Sequence, residues 1–201
     1  MDATRVYLEV GARWTFACAL DWPGWARRGR GDQAALEALA THRPRYAAVA
    51  GAGFEPGPVV VIGSVAGDAS TDFGAPGRLG PWDDEPLSAS EADRLAGLVE
   101  AAWAAFDAGV AAAPAALRTG PRGGGRQPDA MVEHVREAER SYASKFGVRV
   151  PPRTAWSDQR QQLAAALRAN TPGTRWPTGY AARRLAWHVL DHLWEIEDRS
   201  V

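Results

Sequence analysis

Cysteine is almost absent: Cys18 is the only one in 201 residues, beside two methionines and four histidines. A lone cysteine excludes an intrachain disulfide and any zinc site built on several thiolates. Cys18 alternates with Phe16 and Leu20 in a strand-like run, which predicts a buried structural thiol rather than a nucleophile. An excess of one charge is missing too. Lys and Arg total 23 against 24 Asp and Glu, a formal net charge of -1, so the electrostatic footprint of a general nucleic-acid binder is lacking. Arg27, Arg28 and Arg30 form one short basic cluster, read as a solvated hairpin rim, and Lys145 is the single lysine. No apolar run reads as long enough to span a bilayer. The start Met-Asp-Ala-Thr-Arg lacks the apolar region of a signal peptide, so a cytoplasmic protein without a membrane partner is expected.

What is present is a 46% hydrophobic chain, enough for one large domain or two small ones. Gly67, Gly74, Pro76, Gly77, Gly80, Pro81 and Pro86 interrupt any periodicity between Val65 and Glu85, which predicts a linker joining residues 1–75 to residues 86–201. In the first segment, Val6, Leu8 and Val10 alternate with Tyr7 and Glu9, and Trp14 to Leu20 alternates again, giving two strands. Asp21-Trp22-Pro23-Gly24-Trp25 supplies a turn before a short third strand around Trp25 to Arg28. Asp32 can cap a helix carrying Leu36 and Leu39, Pro44 breaks it before Tyr46, and Val59 to Val65 reads as a last buried strand.

The second segment reads as helical throughout. Ser88-Ala89-Ser90-Glu91 matches a capping box, followed by the stripe Leu95, Leu98, Ala102, Phe106 and Val110 and a loop from Gly120 to Gly125. Pro128 opens a second helix with Met131, Val135, Ala138 and Tyr142 on one face, and Gly147 stops it. Ser157 can cap a third helix, closed by Pro172 and Gly173, and Thr178 can start a fourth. Four amphipathic helices need one another to cover their apolar faces, so the predicted class is α+β: a small αβ module followed by a four-helix bundle able to fold alone.

The chemistry concentrates in the last helix. His188 and His192 are four residues apart, which in a helix puts both imidazoles on one face about one turn apart. Leu185, Val189, Leu193 and Ile196 place them at the edge of the buried stripe rather than on the side of Arg184, Asp191 and Asp198. His134 lies beside the stripe of the second helix, so if helices two and four are neighbours the three histidines converge. Three nitrogen donors with no cysteine nearby leave a coordination position for water or substrate, the arrangement of catalytic rather than structural zinc. His42, beside Pro44, is assigned to the surface or a helix end. Glu137, one turn after His134, and Glu195, three residues after His192, are the candidates for orienting a ligand histidine or moving a proton; each also reads as a solvated carboxylate.

Met131-Val132-Glu133-His134-Val135-Arg136-Glu137, followed by Trp187-His188-Val189-Leu190-Asp191-His192-Leu193-Trp194-Glu195, resembles the two histidine motifs of the DinB/YfiT-like superfamily over residues 88–201. The resemblance implies a four-helix bundle with a divalent metal on His134, His188 and His192: zinc first, with nickel, iron or manganese as alternatives. It also implies thiol-dependent S-transfer or isomerisation of a small molecule, using a low-molecular-weight thiol such as mycothiol. Arg5 to Val65, with Asp21-Trp22-Pro23-Gly24, resembles the HicB-like antitoxin fold, which implies a protein-binding role; no DNA-binding element accompanies it. A non-catalytic binding module on a metal-stabilised scaffold is therefore the rival reading, and a homodimer stays open. Trp103, Trp187 and Trp194 are expected in the core or between segments, whereas Trp22 and Trp25 are expected to dock the first segment onto the bundle as a lid.

Overall fold

Val6, Tyr7, Leu8 and Glu9 are consecutive in β1 (Thr4–Val10), and all four side chains are buried. The cause is the central place of this strand. It pairs antiparallel with β2 (Thr15–Ala19), which pairs antiparallel with β3 (Ala26–Gly29), and its other edge pairs parallel with β4 (Val59–Ala66), giving the sheet order β3-β2-β1-β4. One sheet face, with Val6, Leu8, Ala17 and Ala19, joins the main core. Tyr7, Phe16, Cys18 and Ala26 face the other way and form a second cluster with Trp187. Both faces of β1 are therefore buried, the Tyr7 and Glu9 side as well as the Val6 and Leu8 side.

The computed structural model describes residues 3–120, 125–171 and 174–200, and its class is α+β. Helices α1 (Asp32–Thr41) and α2 (Arg43–Ala50) follow β3, the break between them falling at His42 with Pro44 in the first turn of α2. A short α3 (Ala69–Phe73) precedes four long helices: α4 (Ala89–Ala112), α5 (Pro128–Ala143), α6 (Trp156–Ala169) and α7 (Thr178–Ser200). Ser88 and Glu91 make the reciprocal capping box of α4. α4 packs on α7 and α6, and α5 packs on α7, whose faces are buried over most of its length.

The two halves share one core. Val6, Leu8, Trp25, Leu39 and Tyr46 belong to the same buried cluster as Leu95, Phe106, Leu163, Leu185 and Leu190. Trp25 is 2% exposed, stacks on Tyr46 and donates Nε1–H to the Leu39 carbonyl at 2.9 Å. Gly24 makes the close approach to α7: it has φ +91, and a Cβ there would lie 2.7 Å from Leu190 Cδ1 and 3.1 Å from the Ala186 backbone. Only glycine fits both the conformation and the space. Arg45 of α2 also pairs with Glu197 and Asp198 at the far end of α7.

Several expectations change here. The Gly/Pro stretch is pinned rather than loose: the buried Glu9 carboxylate accepts from the backbone N–H of Gly77 and Arg78, Arg183 pairs with Asp83, and Tyr180 donates to the Gly77 carbonyl at 2.6 Å. β4 exists but is an exposed edge, with Val59, Val60, Val61 and Ile62 each 39–47% exposed, because it ends the sheet and no further strand pairs with it among the described residues. Asp32 and Ser157 are not caps. Gly31 and Ala155 hold those positions, and Asp32 instead accepts from the Thr15 hydroxyl at 3.3 Å. Arg27 is no solvated rim, since it pairs with Asp191 at 3.5 Å and lies over Trp194, while Arg28 and Arg30 lie over Trp14. α4 is long and apolar enough to cross a membrane by length and composition, contrary to the sequence reading, although its stripe Leu95, Val99, Trp103 and Phe106 is packed inside. The start of the chain at Met1 and Asp2, residues 121–124 of the loop after α4, and the α6 stop at Pro172 and Gly173 lie outside the described residues.

Candidate metal centre

The helical period builds the site. Along α7 a column of residues recurs every four positions, Tyr180, Arg184, His188 and His192, and α5 runs alongside with His134 and Tyr142 facing it. His134 Nε2 and His188 Nε2 are 3.2 Å apart, and one ligating atom from each of His134, His188 and His192 lies within 4.8 Å of the others. Nitrogens tetrahedrally bound to zinc at about 2.0–2.1 Å would be roughly 3.3 Å apart, so the first pair is at that spacing, and His192, within 4.8 Å of both, would close toward it. No cysteine or carboxylate joins this cluster among the described residues.

Two further observations bear on whether the residues fit a metal. His188 is 8% exposed, so burial fixes the ring that presents Nε2 to His134; its other nitrogen, Nδ1, is buried without a hydrogen-bond partner. His192 Nδ1 lies 3.3 Å from Glu195 Oε2, which orients the ring and frees Nε2 to point at the cluster. Glu195 is itself fixed by Arg199 Nη1 at 2.8 Å, and Arg199 also donates to the carbonyls of Arg118 and Arg126. The donor set and its support fit a divalent ion.

The surroundings of His134 and His188 favour their neutral forms. Burial, then His192 and Arg126, pushes His134 down to about 4. Burial, then the other two histidines, holds His188 well below the ordinary imidazole range. The hydrogen bond from His192 is the first cause holding the Glu195 carboxyl below its usual range, so this group stays an acceptor.

Glu137 is not brought to the histidines: it is exposed and pairs with Arg140. His42 caps the end of α1, with Nδ1 3.0 Å from the Ala38 carbonyl and its ring against Trp194. Sequence reasoning missed Arg199, Arg184 and Tyr142, although Glu195 and Arg199 are four residues apart and Arg184 shares the histidine column. The cleft of about 520 Å³ at the seam between sheet and helices, lined by Arg5, Asp21, Asp84, Glu91 and Arg94, contains none of the three histidines. The histidine chemistry lies instead between α5 and α7. No protein-family model matches this chain, and neither a curated protein nor a solved structure matches it.

Proposed function

We propose that the protein is a metal-dependent enzyme of the DinB-like type, with His134, His188 and His192 as ligands of one divalent ion, zinc first. The observation that carries this reading is the convergence of three buried or half-buried imidazoles from two helices, with one ligating atom of each within 4.8 Å of the others. A bound ion would supply Lewis acidity that stabilises a thiolate at neutral pH. The thiol must come from outside, because Cys18 is 2% exposed and burial pushes it up to about 12. A low-molecular-weight thiol such as mycothiol, used for S-transfer or isomerisation of a small molecule in the cytoplasm, fits that requirement.

Within this scheme Glu195 holds the proton on His192 Nδ1 and so fixes the tautomer that leaves Nε2 free. The His192 hydrogen bond first, then Arg199, keeps Glu195 ionised, and Arg199 holds it in place, which makes Glu195 a positioning residue rather than a proton donor. The test is thiol-dependent turnover in the metal-loaded protein, lost in His188→Ala; no thiol binding at full metal occupancy would refute the enzyme reading.

One observation favours a second reading. The exposed edge β4, apolar from Val59 to Ile62, suits strand addition by a partner, as a HicB-like protein-binding module on a metal-stabilised scaffold would use it. Replacing Val60 with Lys separates the two, since it would abolish partner binding and leave thiol chemistry unchanged.

A further inference from the structure

Most arginines in the described residues that are at least half-buried pair with a carboxylate, as Arg45, Arg160, Arg183 and Arg199 do. Two cations beside the histidines do not. Arg184 is half-buried; its Nη1 donates to the Pro76 carbonyl, its Nη2 donates to Tyr142 Oη at 3.2 Å, and its Nε is buried without a partner. Lys145 lies over Trp176 at 4.7 Å and Tyr142 at 5.9 Å. Neither forms an ion pair among the described residues. The Lys145 ammonium is held below the ordinary lysine range by burial first, then by Arg175 and Arg184, so its charged neighbours are cations only.

Both cations share the Tyr142 ring, which stands 5.7 Å from the His188 ring. Trp187 completes the frame at 5.0 Å from Arg184. Partly desolvated cations without a counter-charge are costly, and aromatic faces offset only part of that cost. An anion would complete the arrangement.

We infer that Arg184 and Lys145, each within 6 Å of the Tyr142 ring centre, form an anion-binding subsite whose Arg184 lies one helical turn from His188. The ligand class is a small organic molecule with a carboxylate or phosphate at one end and a metal-binding group about 5 Å away, the rise of one helical turn. Placing that second group on the histidines rests on the metal reading above; the anion subsite does not.

The test uses the full chain, stripped of metal or loaded with zinc, titrated with succinate and separately with inorganic phosphate at fixed ionic strength. Quenching of the nearby Trp176 and Trp187 fluorescence and calorimetry are the readouts. Saturable binding is expected in the stripped wild type, weakened about tenfold in Arg184→Gln and in Lys145→Gln, the scale of one charged hydrogen bond, and unchanged in Arg43→Gln. Tighter binding of succinate or of phosphate identifies the anionic group. Should Arg184→Gln fail to fold, Lys145→Gln decides. Binding by stripped His188→Ala with no zinc uptake by the wild type would leave the subsite standing and remove the metal reading. Absence of saturable binding of both anions, or equal affinity in wild type and Lys145→Gln, would overturn the subsite.

Discussion

Glu195 Oε2 lies 3.3 Å from His192 Nδ1, one helical turn along α7, and this contact fixes which imidazole nitrogen faces His134 and His188. Glu195→Ala is therefore expected to weaken zinc binding about 10–100-fold, as loss of a carboxylate behind a ligand histidine does. Competition titration against a chromophoric chelator measures it, and unchanged affinity would remove Glu195 from the site.

Acid should destabilise the metal-free protein before it protonates most carboxylates. His134 falls to about 4 in the fold and His188 is held well below its ordinary range, against about 6.5 for an unfolded imidazole. A lowered histidine stabilises fully above 6.5, and that contribution is lost as pH falls from there toward 4. Thermal melts between pH 7.5 and 4.5 should show this loss, reduced in His188→Ala; equal acid sensitivity in the two proteins would contradict it.

Cys18 should stay silent toward a thiol reagent in the native state and react once the chain is unfolded, since it is buried on the sheet face covered by Trp187. Stoichiometric native labelling at neutral pH would reopen the chain's own thiol as a nucleophile.

Gly24→Ala should destabilise the whole chain by roughly 1–3 kcal/mol, because the added Cβ meets Leu190 and the Ala186 backbone. A single cooperative denaturation transition, shifted in this variant, is the expected result. For the same reason residues 86–201 alone should expose the face of α7 that Gly24 and Trp25 cover, and lose solubility. A stable, soluble isolated segment would show that the shared core is dispensable.

The parts legible in the sequence were those set by local period. His188 and His192 four apart, the Ser88 capping box and the strands β1 to β3 follow from spacing and turn chemistry alone. What depended on tertiary order was hidden. Val59 to Ile62 has the composition of a buried strand, yet its burial depends on whether another element covers the outer edge. The burial of Glu9 rests on the amides of Gly77 and Arg78, which are distant in sequence. Arg184 shares the histidine column and Arg199 follows Glu195 by four residues, but a charged residue on a helix gives no sign of its burial.

Metal content per chain, measured on untagged wild type and on His134→Ala, His188→Ala, His192→Ala and His42→Ala, tests the metal centre most directly. One divalent ion in wild type and His42→Ala, with severe loss in each of the other three, is the expected result. Equal loading in wild type and His188→Ala, or loading that depends on His42, would contradict the assignment and the enzyme reading with it.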